Sequence, residues 1–188
     1  MTNCLEGIVR FYFPKIYHEY QTNMDALLGH HTEFQRPIAN SVFAAASFNF
    51  GPDVVTYKHT DSGNKANGPC PIFCSGSFDA DIGGHIILRQ LKMLIRFPPG
   101  SIAVVPSATL MHGNVSIQAG EQRESFTQYA AGGLFRWVQY GFCSWKSLSA
   151  SPELLKEELE KRQVRWKDAV GMFSTISSLH DDRMRLFS

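Results

Sequence analysis

A few short stretches of this chain carry residue types that can do chemistry together. His59 and Asp61 stand two apart in KHTDSGN, directly after the β-prone run VVTYK. In an extended strand, residues i and i+2 point the same way, so this imidazole and carboxylate can reach one ion. His112, in LMHGN, follows after about four strand-length segments, enough chain for a β-fold to wind back beside the first pair. Two histidines and a carboxylate on one face of an octahedron are the ligand set of non-haem Fe(II) oxygenases. That set leaves coordination positions open for a cosubstrate and O₂. Arg123 lies on the next expected strand, after the AGEQ turn, and its rigid guanidinium fork suits a two-pronged grip on a carboxylate. The far carboxylate of 2-oxoglutarate is such a group. Ser125, two residues on and on the same strand face, can donate its hydroxyl to it. Each feature alone is commonplace. Their order and spacing together point to an Fe(II)/2-oxoglutarate-dependent dioxygenase with His59, Asp61 and His112 as metal ligands.

Positioning these groups needs a β-rich frame, and the sequence supplies one. From about Ser41, short β-prone runs follow one another: SVFAAASFNF, VVTYKHT, PIFCSGSF, HIILRQL, MLIRF, SIAVVP, VSIQ, ESFTQYA and LFRWVQYGF. Turn chemistry separates them, as in GPD, SGNKANGP, DADIGG and PPG. Closely spaced short strands of this number indicate a sandwich or barrel of the jelly-roll, cupin-like kind. The expected fold is mainly β with flanking helices around a double-stranded β-helix. One dioxygenase domain is expected over residues 1–188, with a helical or mixed segment over 1–40, the β-core over 41–145 and a helix over 151–174. Pro14 can open a helix that Gly29 would stop. Ser151 is a good N-cap, with Pro152 at the first helical position. Trp166, Ala169, Val170 and Phe173 recur at helical spacing, so this helix is expected to pack on the sheet.

Composition sets outer bounds. A net charge of +1 predicts no polyanion partner from the whole-molecule field and excludes none, so any nucleic-acid contact must come from a local patch. Cys70 and Cys74 in CPIFC have no second pair to complete a tetrahedral zinc site and are expected as buried, reduced thiols. No apolar run reaches the roughly 20 residues of a membrane span, and an intracellular location is the default expectation. No protein partner can be inferred. His18, His30, His31, His85 and His180 read as structural.

HTDSGN, LMHGN and GEQRESFTQYAAGGLFRWVQYGF together resemble the TET/JBP-type oxygenases. NSVFAAASFNFG and RFPPGS extend the resemblance to their fungal branch, basidiomycete and associated with transposons. It runs from about Phe34 to Phe173. In that family the iron motif is His-x-Asp-x-x-Asn, matched here by His59, Asp61 and Asn64. The cosubstrate motif is Arg-x-Ser with a tyrosine six residues past the arginine, matched by Arg123, Ser125 and Tyr129. The resemblance implies Fe(II), 2-oxoglutarate and O₂ as cofactor and cosubstrates. It implies DNA carrying methylated bases, 5-methylcytosine or N6-methyladenine, as partner and substrate, and a nuclear location. Tyr129 would stack on a base taken out of the duplex, and Asn64 would lie near its polar edge. No cysteine-rich insert or basic arm is evident, the N-terminus is expected to be short, and Arg36 is the candidate for an additional cosubstrate contact. Two rivals stay open: the same chemistry on a protein side chain or small molecule, and a non-catalytic β-barrel binding module.

Overall fold

The computed structural model describes residues 2–187. Helices α1 (Thr2–Tyr12) and α2 (Pro14–His30) come first. Pro14 sits in the first turn of α2, where its missing N–H has no partner to lose. Gly29, the expected stop, lies inside the last turn; the His31 N–H closes the helix on the Leu27 carbonyl at 2.9 Å.

The strands are β1 (Ala45–Asn49), β2 (Cys70–Ser77), β3 (Ile86–Leu88), β4 (Met93–Ile95), β5 (Ile102–Val105), β6 (His112–Asn114) and β7 (Gln122–Tyr129). They form two antiparallel sheets, ordered β1-β7-β2-β5 and β4-β3-β6. A bridge between His59 and His112 lays the stretch before β2 along the free side of β6. The chain therefore alternates sheets: β1 in the first, residues near 59 in the second, β2 back in the first, β3 and β4 in the second, then β5, β6 and β7 in turn. That winding is the double-stranded β-helix, a jelly-roll core.

One apolar core fills the space between the sheets, with Cys74, Ile86, Leu88, Phe97 and Val105 buried. A second lies outside the larger sheet, where Val9, Ile16 and Tyr20 of the first two helices meet Val42, Phe43 and Ala130. The flanking helices continue as α3 (Gly132–Gln139), α4 (Trp145–Leu148), α5 (Pro152–Gly171) and α6 (Leu179–Phe187). Among the described residues, no helix is long and apolar enough to cross a membrane.

Four expectations about the elements need correction. VVTYKHT, expected as a strand, forms none: it meets β6 through the single bridge at His59. LFRWVQYGF, expected as a strand, forms α3 and the turn after it. Its aromatic content suits either state, and tertiary packing decides: Phe135 sits edge-on to Tyr20 of α2 at 5.3 Å. VSIQ is not a strand, because the pairing on β3 starts earlier, at His112, and ends at Asn114. In α5, Ser151 caps through its hydroxyl and Pro152 follows it as expected, but Trp166 and Val170 are each 63% exposed. The inward side of α5 instead carries Glu158, buried and gripped by Arg162 at 3.2 Å and Arg165 at 2.5 Å.

This grip has a pH signature. Burial alone would raise the Glu158 pKa, but hydrogen bonds and charge from Arg165 and Arg162 outweigh it and hold the carboxyl below its ordinary value. A carboxyl depressed in the folded state stabilises above its unfolded pKa, and that contribution is lost as pH falls through the folded one. The thermal midpoint should therefore drop as pH is lowered from about 5 to about 3. Glu158→Gln should start from a lower midpoint at neutral pH and fall less steeply. Circular-dichroism melts at stepped pH check this, and equal slopes for the two proteins would contradict it.

Candidate metal and cosubstrate site

The site begins with a backbone irregularity. His59 and His112 exchange both backbone hydrogen bonds, at 2.9 and 3.0 Å. The next contact up the ladder is Asn114 N–H to Thr56 O at 3.0 Å. Tyr57 and Lys58 thus stand opposite Gly113 alone, which is a β-bulge. The bulge presses its carbonyl over Gly113, where a Cβ would lie 2.7 Å from Thr56 O. It also turns Tyr57 out to solvent, 85% exposed, while letting His59 meet His112. The Asn114 side chain pins the loose stretch: Oδ1 accepts from the Thr56 N–H at 2.7 Å, and Nδ2 donates to Val54 O at 3.2 Å.

Both imidazoles are held from behind. His59 Nδ1 lies 2.8 Å from Tyr57 O and His112 Nδ1 lies 2.9 Å from Leu110 O. A carbonyl only accepts, so each Nδ1 carries the proton and each Nε2 offers a lone pair. Those Nε2 atoms face Asp61, at 3.3 Å from Oδ1 for His59 and 3.9 Å from Oδ2 for His112. One ligand atom from each of the three residues lies within 4.8 Å of the others. Two ligand atoms each about 2.1 Å from an ion and at right angles lie roughly 3 Å apart, so small side-chain shifts close the set on a metal. Asp61 is steadied in turn. Its N–H donates to Ser107 O at 2.9 Å, and Oδ2 faces Asn64 Nδ2 at 3.5 Å. Asn64 Nδ2 also donates to the buried Ser107 hydroxyl at 3.1 Å.

Deeper in the same barrel, β7 carries Arg123 and Ser125. Arg123 pairs in register with Gly76, which adopts φ +127°; a Cβ there would meet Gln122 O at 2.1 Å. Arg123 as a whole is 3% exposed, yet no carboxylate pairs with its guanidinium among the described residues. Its Nη1 makes a long contact of 3.4 Å to Val54 O, and its buried Nε has no acceptor. Burial pulls its pKa below the ordinary value, while the neighbouring Cys74 thiol acts in the opposite direction. A buried cation with unused donors is costly unless an anion completes it, so this end of the cavity fits a carboxylate. Ser125 Oγ accepts from Asn49 Nδ2 at 3.0 Å, which leaves the hydroxyl proton free to donate. His59, Asp61, His112, Arg123, Ser125 and Tyr129 all line one cavity of about 400 Å³. That is within the range of small-molecule sites. The two-nitrogen, one-oxygen donor set and the unpaired guanidinium beside it fit an Fe(II) ion chelated by 2-oxoglutarate.

Tyr129 is half-buried at the end of β7 and reaches the cavity; Asn64 reaches it too, with its amide directed to Asp61 and Ser107. Arg36 does not: it pairs with Asp25 and donates to Ser41 O. Cys70 and Cys74 are buried and not joined to each other. Cys70 sits close to Asp61, and burial first, then that charge, pushes its thiol up to about 12 against an opposing hydrogen bond with Ser107. It is therefore a neutral thiol at physiological pH rather than a thiolate ligand. Asn49, Ser107 and Asn114 were not singled out from the sequence. An asparagine or serine on a strand gives no pattern that tells a buried clamp from a solvated residue.

No family model matches the sequence, and no curated protein matches it. Among solved structures, one similar chain is NgTET1 in complex with 5mC DNA, at 14% identity and a TM-score of 0.46, covering 67% of this chain and 52% of that one. This chain thus spans about half the length of NgTET1. Another is the viral collagen prolyl hydroxylase vCPH from Paramecium Bursaria Chlorella virus-1 in its 2OG complex, at 14% identity and a TM-score of 0.34, covering 59% of this chain and 70% of that one. A third is an RmlC-like cupin protein from Desulfovibrio desulfuricans, at 12% identity and a TM-score of 0.28, covering 51% of this chain and 95% of that one.

The geometry yields a direct metal test. With Co(II) or anaerobic Fe(II) at about 100 times its Kd, the folded state should gain about 2.7 kcal/mol. That gain should vanish in Asp61→Ala and in His112→Ala, read as the metal-dependent shift of the thermal midpoint. A full shift retained in His112→Ala would remove that residue from the ligand set.

Proposed function

We propose that this chain is an Fe(II)/2-oxoglutarate-dependent dioxygenase whose single catalytic domain oxidises a methyl group on a modified DNA base, 5-methylcytosine or N6-methyladenine. The observation that carries the reaction class is the meeting of His59, Asp61 and His112 in one cavity with a buried, unpaired guanidinium. In this reading those three residues hold the iron. Fe(II) with 2-oxoglutarate and O₂ supplies the oxidising power when bound, and the protein supplies placement and exclusion of water.

Arg123 is the anchor for the far carboxylate of 2-oxoglutarate, because a fork of unused N–H donors in a dry setting grips a carboxylate best. The Ser125 hydroxyl, oriented by Asn49, donates to the same group. Tyr57 O and Leu110 O hold the two Nδ1–H groups and so keep both imidazoles in the ligating tautomer. Ser107 and Asn64 keep Asp61 from swinging away. The base substrate rests on the resemblance of HTDSGN and of RESFTQY, and Tyr129 is the ring on which a base taken out of the duplex would stack. A nuclear location goes with that substrate.

With iron present, the protein should convert 2-oxoglutarate to succinate, and a methylated oligonucleotide should gain a hydroxymethyl base detectable by mass spectrometry. Arg123→Gln should raise KM for 2-oxoglutarate by about 100-fold, since a buried carboxylate would lose its charged partner, while the metal-dependent thermal shift persists. Iron-dependent turnover with a peptide or small molecule, and none with methylated DNA, would move the substrate and keep the class. No iron-dependent succinate at all would leave the binding-module reading in its place.

A further inference from the structure

The outer face of the β4-β3-β6 sheet carries an open groove of about 760 Å³ whose lining contains no aspartate or glutamate. Three cations stand on it: Lys58, Arg89 and Lys92, all exposed. None has a carboxylate partner among the described residues. By contrast Lys15, Arg36, Lys65, Arg96, Arg162 and Arg165 are each paired with one. Other cations, Lys146, Lys156 and Lys167 among them, also lack a carboxylate partner among the described residues. Lys58, Arg89 and Lys92, however, share one groove whose lining holds no acid, which makes it locally positive. The same lining includes Tyr57, 85% exposed, and Leu94, 62% exposed, an aromatic and an apolar side chain open to solvent.

The location is as telling as the charge. Lys58 directly precedes His59 on the bulge. Arg89 follows Leu88, which pairs in register with His112, and the Arg89 N–H donates to Met111 O at 3.0 Å. Lys92 closes the same turn on Arg89 O. All three therefore sit at the His59–His112 end of this sheet, away from the end where Arg123 reaches Val54 O. Lys92 also holds a left-handed backbone conformation, φ +53°, where glycine or asparagine is the usual occupant.

We propose that this cationic rim is a nucleic-acid docking surface. A DNA strand lies across it with phosphates on Lys58, Arg89 and Lys92 and a base against Tyr57, which presents the adjoining nucleotide to the mouth of the site. Flexible ammonium and guanidinium groups around an exposed ring are the combination that holds single-stranded nucleic acid. This inference rests on the reading that the substrate is a DNA base, and it assigns the contacts outside the cavity that such a substrate requires.

The test is fluorescence anisotropy of labelled single-stranded and duplex oligonucleotides across about 50 to 200 mM salt. A triple variant, Lys58→Gln with Arg89→Gln and Lys92→Gly, should bind at least 10-fold more weakly at the low-salt end. Its slope of log affinity against log salt should be shallower by about 2 to 3. The control triple Lys146→Gln, Lys156→Gln and Lys167→Gln removes the same net charge elsewhere and should bind as the parent does. Tyr57→Ala should weaken single-strand binding by roughly 10-fold. Lys92→Gly alone should leave the thermal midpoint unchanged or raised, because glycine is at ease at that φ, while still weakening DNA binding. The proposal is overturned by wild-type binding in the rim triple, by equal loss in both triples, or by rim-dependent binding to anionic vesicles in a protein that does not bind DNA. Succinate formation without DNA binding would remove this surface and leave the dioxygenase reading intact. Rim-dependent DNA binding without iron-dependent succinate would do the reverse.

Discussion

The pair of backbone hydrogen bonds between His59 and His112 is the constraint on which the site depends. These two residues lie far apart in the chain, separated by β2, β3, β4 and β5. Only an antiparallel pairing at that one register puts their side chains on the same inner face. Everything that fixes the register then acts on the His59, Asp61 and His112 cluster: the Asn114 clamp, the bulge at Tyr57 and Lys58, and the two carbonyls behind the imidazoles. The geometry of the two imidazoles is thus set by main-chain groups, which leaves those side chains few degrees of freedom.

The second organising fact is an incomplete charge. Arg123 is taken out of water by the barrel, and the interior offers it only a thiol and a long carbonyl contact, leaving its own Nε without an acceptor. Folding a cation into such a place is unfavourable by itself, and the hydrophobic burial of the inner core must offset it. Residues around it are chosen to sustain this. Gly76 leaves room for the neighbouring backbone, and Asn49 keeps Ser125 turned toward the same space. The inner core and the Arg123 end of the cavity are therefore one energetic problem.

Much of this was legible in the sequence, for identifiable reasons. His-x-Asp after a β-prone run, a later histidine and an Arg-x-Ser strand are chemical types that valence singles out, and the structure brings all five to one cavity, although the His59–Asp61 stretch is irregular rather than a strand. The jelly-roll architecture followed from the number and spacing of short runs and the turn residues between them. What could not be read was decided by partners distant in sequence. LFRWVQYGF has the composition of a strand, and it is a helix because Tyr20 stands where Phe135 can pack on it. Trp166 and Val170 keep helical spacing, yet the face that α5 turns inward is centred on Glu158. Arg36 carries no mark in its neighbours to say that Asp25 would occupy it. Asn49, Ser107 and Asn114 matter through hydrogen bonds to residues dozens of positions away, which no local window contains.

The bulge opposite Gly113 has one more consequence, for how this barrel tolerates change in length. The stretch from Val54 to Asp61 is tethered at one end by Asn114 and at the other by Ser107 O, so it cannot slide to absorb an added or missing residue. Removing one residue at Tyr57 or Lys58 would abolish the bulge and leave a single residue opposite Gly113, with His59 still across from His112. A one-residue slip of the stretch against β6 would instead turn His59 to the outside, and the two tethers oppose that slip. Insertions in the loops beyond these tethers meet no such barrier. Variation among chains built on this plan should accordingly collect in the turns, while the spacing from Thr56 to Asp61 stays constant.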